Sequence, residues 1–232
     1  MAIQTSLFLH EEVMLLALRD EEGTIASGTM YQYAIGAAIL AELLLNQRIA
    51  LEESRKKKLV NLISSTPLGE PLVDQCLEKI GNTKRRASLQ TWVSRFAGVK
   101  NLKHRAAQQL CDRGILRATE DTILLLFTRK IYPEVNPVPE RKLTERLRQA
   151  IFTDSRDIDP RTVVLVSLAH STGLLNIVFD KKKLKNRKAR IKEISNGEIT
   201  GKAAKEAIAA MQAAVMVAVI MPAIMTTTII HH

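Results

Sequence analysis

Apolar residues fall at helical spacing along most of this chain, and the breaks between them mark its elements. Leu7–Leu18 opens with Val13, Leu15, Leu16 and Leu18 behind two acids, Glu11 and Glu12, which suit the positive start of a helix dipole. Ser6 is placed to cap that helix. Asp20-Glu-Glu-Gly23 ends the run, and Thr24–Tyr33, carrying Ser27, Gly28, Met30, Tyr31 and Tyr33, reads as a loop. Ala34–Asn46 is apolar on nearly every side, which predicts a helix buried on nearly every side. Its one charge, Glu42, then needs a partner, because an unpaired buried carboxylate is costly.

Arg48–Leu51 reads as a short extended segment, with Leu59–Ile63 placed to pair with it across the charged Glu52–Lys58. Thr66-Pro-Leu-Gly-Glu-Pro71 is a turn. Leu72–Ile80 and Leu89–Phe96 predict amphipathic helices, the first with Leu72, Val73, Cys76, Leu77 and Ile80 inward, the second with Trp92, Val93 and Phe96. The lone Trp92 reads as core rather than as a stacking platform. A third helix runs from Lys100, with Leu102, Ala106, Leu110 and Cys111 on its buried face and Gly114 where a left-handed cap ends it. Thr119–Lys130 follows with the apolar run Ile123–Phe127, which predicts a β-hairpin. Tyr132–Pro139 holds three prolines and reads as a loop.

Leu143–Phe152 predicts a helix with Arg141, Lys142, Arg146 and Arg148 on its wet side, and Arg161–Leu175 a strongly apolar one in which His170 reads as a satisfied core histidine. Lys181–Arg190 is the densest basic run, either a solvated face or a contact with membrane or nucleic acid. From Ala207 the chain carries no further Asp, Glu, Lys or Arg, a length that invites comparison with a transmembrane span. Its alanines, Gln212 and Pro222 instead predict a buried core helix to about Met221, with a tail over 222–232 that is disordered or touches lipid.

Composition sharpens this picture. Against 24 Asp+Glu stand 34 Lys+Arg, a net charge of +10, which favours an anionic partner: a membrane surface or nucleic acid. Aromatic residues make up only 4%, which disfavours a large β-sandwich. The two cysteines, Cys76 and Cys111, sit among apolar helical neighbours and read as small buried hydrophobes rather than a disulfide. Met1–His10 has neither a basic start nor a cleavage site, so a reducing interior compartment is the expectation.

No catalytic constellation stands out. There is no glycine-rich phosphate loop, nucleophile elbow or HExxH, and the five histidines and two cysteines never reach metal-ligand spacing, so no enzyme activity, metal or cofactor is expected. The chemistry that remains is cationic. Lys100, Lys103 and Arg105 fall within two turns, and Lys100 and Lys103, three apart, share a helix face. Fixed cations at one edge of a fold invite a phosphate, a lipid headgroup or nucleic acid. Helix, Gly114 turn and hairpin also fit a winged-helix nucleic-acid binder, but that helix offers few base-reading side chains beyond Asn101, Gln108 and Gln109. A protein-recruiting scaffold is the third reading.

Six stretches in order then carry a resemblance: Leu9-His-Glu-Glu-Val-Met-Leu-Leu-Ala-Leu-Arg-Asp-Glu-Glu-Gly23, Leu40–Ile49, Leu68-Gly-Glu-Pro-Leu-Val-Asp74, Leu89-Gln-Thr-Trp-Val93, Leu110-Cys-Asp-Arg-Gly-Ile-Leu116 and Arg161–His170. Over about Leu7 to Met221 the chain resembles the Golgi phosphoprotein 3 family of peripheral membrane proteins that bind phosphatidylinositol 4-phosphate. The resemblance implies a mainly α fold: a single domain over 1–221, with central apolar helices, amphipathic helices around them and a projecting β-hairpin. It implies self-association through the hairpin, which makes Leu124, Leu125, Leu126 and Phe127 oligomer contacts, and cytosolic tails of membrane proteins as partners. Its location would be cytoplasmic and peripherally membrane-associated, on the Golgi face in a eukaryote.

The family's headgroup site combines a tryptophan and an arginine near the second helix with an Arg-x-x-Arg pair on the later basic helix. The pair is matched by Lys100 and Lys103, with Arg105 in register, and lysine keeps the charge but not the bidentate fork. The first half is unmatched: Ser27 and Gly28 fall where the tryptophan would be, and Gly36 where the arginine would be. Met30, Tyr31 and Tyr33 would then form the loop that dips into the interface. These departures mark a distant member, a prokaryotic source being one reading.

Overall fold

The computed structural model describes residues 6–19, 22–26, 30–54, 57–123, 127–198 and 205–210. It is mainly helical, with two small antiparallel hairpins. The first helix, α1 (Leu9–Ala17), is capped by its own Glu11, whose carboxylate accepts the Phe8 N–H at 2.7 Å; Ser6 does not serve as the cap. The second, α2 (Tyr31–Leu45), is buried without interruption from Ala34 to Leu44, as its apolar sequence predicts. After a turn come β1 (Ile49–Ser54) and β2 (Lys57–Leu62), paired in register from Ile49 with Leu62 to Ser54 with Lys57.

Two amphipathic helices follow. α3 (Pro71–Gly81) starts with proline, which gives up no needed N–H there, and with Glu70, whose carboxylate accepts the Val73 N–H at 2.6 Å. α4 (Leu89–Ala97) is capped by Ser88 and buries Trp92, only 2% exposed, Val93 and Phe96. α4 lies against α2 at Gly36, where an added Cβ would stand 2.8 Å from the Val93 carbonyl oxygen and 2.9 Å from the Ala97 nitrogen. The position that the family resemblance assigns to an arginine is thus occupied by helix packing.

α5 (Leu102–Asp112) ends at a left-handed Gly114, φ 68°, as its sequence indicates. The predicted hairpin is β3 (Thr119–Ile123) with β4 (Phe127–Ile131). α6 (Val138–Phe152) begins within the proline-rich stretch expected to be a loop, because Pro139 falls in the helix's opening turn, where a missing N–H costs nothing. α7 (Pro160–Ser171), capped by Asp159, is buried from Thr162 to Ala169. α8 (Leu175–Val178), α9 (Lys181–Asn186) and α10 (Lys188–Ser195) complete the named elements, and 205–210 is helical, with Ala207, Ile208 and Ala210 buried. The rest of the expected C-terminal helix and the 222–232 tail lie outside the described residues. Cys76 and Cys111 are free thiols; Cys76 is buried, which pushes its thiol up to about 12, and Cys111 is half-buried.

α1 ties these helices together through three successive buried polar side chains, His10, Glu11 and Glu12. Glu11 accepts from Arg113 Nε at 2.7 Å, and Glu12 accepts from Arg146 at 2.7 Å and lies 3.7 Å from Arg161. Arg161 donates to both oxygens of Glu42, at 2.9 and 3.0 Å, while Glu42 also accepts the Leu9 N–H at 2.8 Å. Glu42 is therefore paired, as its burial requires. Burial raises the carboxyl pKa of Glu11, Glu12 and Glu70, and the facing arginines pull Glu11 and Glu12 back. His10 stands 3.7 Å from Glu70 and is pushed down to about 3, first by burial and then by Arg113 and Arg161.

Candidate functional site

The chain passes from α4 into α5 through Gly98, Val99, Lys100 and a left-handed Asn101, φ 57°, with the Leu102 N–H bonded to the Val99 carbonyl at 3.1 Å. Lys100 therefore sits exposed in the turn, and only Lys103 and Arg105 lie on the helix. The expectation that Lys100 and Lys103 share a helix face is corrected by this turn. Both still stand at the amino end of α5, whose first turn carries no acid. That end already bears the positive pole of the helix dipole and its unsatisfied N–H groups.

Lys103 and Arg105 part company. Arg105 donates to Gln75 Oε1 on α3 at 2.6 Å. Lys103 is half-buried on the side of the second hairpin, and its ammonium pKa is lowered by burial and by Arg129 on β4. Two residues apart on a helix is about 200° of rotation, so the two side chains serve different faces.

His104 fastens this end of α5 to the hairpin. Its Nδ1 lies 2.7 Å from the Tyr132 hydroxyl, and the two rings are 5.8 Å apart. Its pKa is lowered by burial, then by Lys103 and Lys130. Lys130 stands two residues before Tyr132, the spacing that brings extended chain back to one face. Arg129 is held by Asp121 across the ladder, at 2.7 and 3.0 Å. Among the described residues no ion pair joins Lys100, Lys103 or Lys130 to a carboxylate. The structure thus brings together Lys103, His104, Arg129 and Lys130, with Lys100 in the turn before the helix and Arg105 turned to Gln75. Arg129 and Lys130 are the residues that sequence reading missed; the signal available was a pair of cations on a strand already assigned to the hairpin.

The supposed interface loop is corrected too. Tyr31 and Tyr33 form the first turn of α2 and pack partly buried against the core, leaving Met30, 38% exposed, just ahead of the helix. Ser27 and Gly28, and the hairpin residues Leu124, Leu125 and Leu126, lie outside the described residues, and Phe127 pairs in register with Ile123.

The Golgi phosphoprotein 3 (GPP34) family profile matches residues 9–211, which is most of the chain. The chain belongs to the Golgi phosphoprotein 3 family. Among curated proteins it is similar to vacuolar protein sorting-associated protein 74 of the fission yeast Schizosaccharomyces pombe, at 24% identity over 79% of this chain. The match spans 64% of that relative's length. In this family member no helix among the described residues is long and apolar enough to cross a membrane.

Proposed function

We propose that this Golgi phosphoprotein 3 family member is a non-catalytic peripheral membrane protein that binds anionic phospholipid headgroups of the phosphatidylinositol 4-phosphate type. The observation that carries the reading is the amino end of α5. Lys100 in the preceding turn and Lys103 stand at a helix start without an acid, and the hairpin brings Arg129 near Lys103 and Lys130 near His104, so positive potential accumulates where an anion is favoured. Lysine is a hydrated point charge rather than a planar fork, so the site reads charge more than headgroup shape. Met30 would enter the interface as the exposed apolar residue nearest the α2 start. Family membership makes cytosolic tails of membrane proteins and a second copy of the chain the expected protein partners, with nucleic acid disfavoured. The protein's place is then cytoplasmic and peripherally membrane-associated, on the Golgi face if the cell is eukaryotic, and the relative's name ties that relative to vacuolar protein sorting.

The test is co-sedimentation with vesicles of neutral lipid, phosphatidylserine or phosphatidylinositol 4-phosphate, at low and physiological salt. A basic residue near an anionic surface contributes about 1 kcal/mol, so Lys100→Ala with Lys103→Ala should weaken binding about 30-fold. Pelleting with phosphoinositide alone would assign headgroup recognition, and equal pelleting with both anionic vesicles a charge-driven contact. No pelleting with any vesicle would overturn the proposal.

A further inference from the structure

The densest basic run of the sequence takes no part in the cluster at α5, and its arginines and lysines divide their work. Arg187 donates to the Ile151 and Thr153 carbonyls at 2.8 Å each and to Asp154 at 2.6 Å. Arg190 donates to the Ala150 and Ser155 carbonyls and pairs with Glu193. Both arginines thereby close the carboxyl end of α6, whose last carbonyls lack helical partners. The lysines do nothing of the kind. Lys181, Lys182, Lys183, Lys185, Lys188 and Lys192 are all exposed, and among the described residues none is ion-paired.

Three of these lysines share one surface hollow. Lys181 and Lys185 of α9 and Lys188 of α10 line a hollow of about 260 Å³, together with His170 from the end of α7. Its floor is apolar, formed by buried side chains such as Leu184 and Ile191. Among the described residues no carboxylate lines it. His170 is exposed at this rim, which corrects its reading as a core histidine, and partial burial, then Lys188, hold its ring below the ordinary imidazole range. Like charges brought to one small hollow repel one another, and an anion relieves that repulsion. Three lysines line a space the size of a small headgroup, and each ammonium carries three N–H donors.

We infer that this hollow is a second anion site, one that takes a phosphate monoester. It is separate from the α5 cluster: α10 packs on α7, whereas α5 packs on α1. A phosphate monoester is compact and carries close to two negative charges at neutral pH, which suits three point cations better than a single carboxylate does. The same group is presented by free phosphate and by a phosphatidic acid headgroup, and the apolar floor favours neither alone.

The experiment follows the Cε1–H resonances of His170 and His104 by NMR, with His170→Gln for assignment. One arm titrates inorganic phosphate, the other monomeric dihexanoyl phosphatidic acid, each against sodium chloride at matched ionic strength. We expect a saturable shift of His170 in at least one arm, weakened about tenfold or more by Lys185→Ala with Lys188→Ala. Response to both probes assigns recognition of the phosphate alone, and response to the lipid only assigns the headgroup as its source. The Lys100→Ala/Lys103→Ala variant should leave the His170 shift intact, and a silent His104 beside a responding His170 would count against the α5 reading only. Absence of any His170 shift beyond the chloride control would overturn the inference. So would a shift that survives loss of both lysines.

Discussion

Gly36 on α2 and Val93 on α4 touch backbone to backbone: a Cβ on Gly36 would lie 2.8 Å from the Val93 carbonyl oxygen. At the position where the family resemblance expects an arginine, that approach leaves no room for a side chain. The two helices have closed over the space its side chain would need. Gly36→Ala should cost about 1–3 kcal/mol, since a packed helix pair must shift to admit a methyl group. At roughly 2–4 °C per kcal/mol for a chain of this size, calorimetry should show Tm falling by several degrees. An unchanged Tm would mean that the helices separate freely.

Arg161 joins α7 to Glu42 and Glu12, and it also donates to the Leu7 carbonyl at 2.6 Å. Arg161→Ala leaves Glu42, which is 3% exposed, as a buried carboxylate without its cation. Removing one partner of a buried pair typically costs about 3–5 kcal/mol, so urea denaturation should show a loss of that order. Arg161→Ala combined with Glu42→Gln should recover part of it, because no charge is then stranded.

His10 gives stability a pH dependence of definite sign. Its folded-state pKa is about 3, below the ordinary 6.5, so the folded protein keeps it neutral while the unfolded chain takes up a proton. The stability tied to neutral His10 is complete above about pH 6.5 and falls as pH drops toward 3. Glu11, Glu12 and Glu70, whose pKa values are raised, act oppositely: the folded state holds their protons more firmly as pH falls. Comparison with His10→Gln isolates the histidine. Between pH 6 and 4 wild type should lose up to about 1.4 kcal/mol per pH unit more than the variant. Parallel curves would show that His10 is charged in the folded state.

Lys130 should matter for lipid as Lys103 does. Lys130→Ala is expected to weaken binding to anionic vesicles roughly fivefold, the effect of about 1 kcal/mol, and to flatten the salt dependence. Arg105→Ala should have a smaller effect, because that guanidinium is turned toward Gln75. An equal loss from both variants would contradict the division of the α5 amino end into two faces.

Several features were legible in local pattern. The uninterrupted apolar run of α2 announced its burial, Gly114 announced the end of α5, and the apolar segment after Thr119 announced a hairpin. The site was less legible. Lys100 and Lys103 are spaced for one helix face, and nothing in their spacing reveals that Asn101 turns left-handed between them. Tyr31 and Tyr33 follow glycine and serine, which suggests a loop, yet packing against the core draws them into the first turn of α2. Propensity is a weak signal where burial decides.

By itself the sequence determined which faces are apolar, where helices stop, and that a buried Glu42 needs a partner. It could not say which partner, because Arg161 lies 119 residues further along the chain. Nor could it show that Glu11 and Glu12, acids suited to a helix start, are buried against Arg113 and Arg146. Only the tertiary structure brought Lys130 beside His104, turned Arg105 away, and gathered Lys181, Lys185, Lys188 and His170 around one hollow. Periodicity records what each element must hide; which elements meet, and so which charges face one another, is settled when the faces pack.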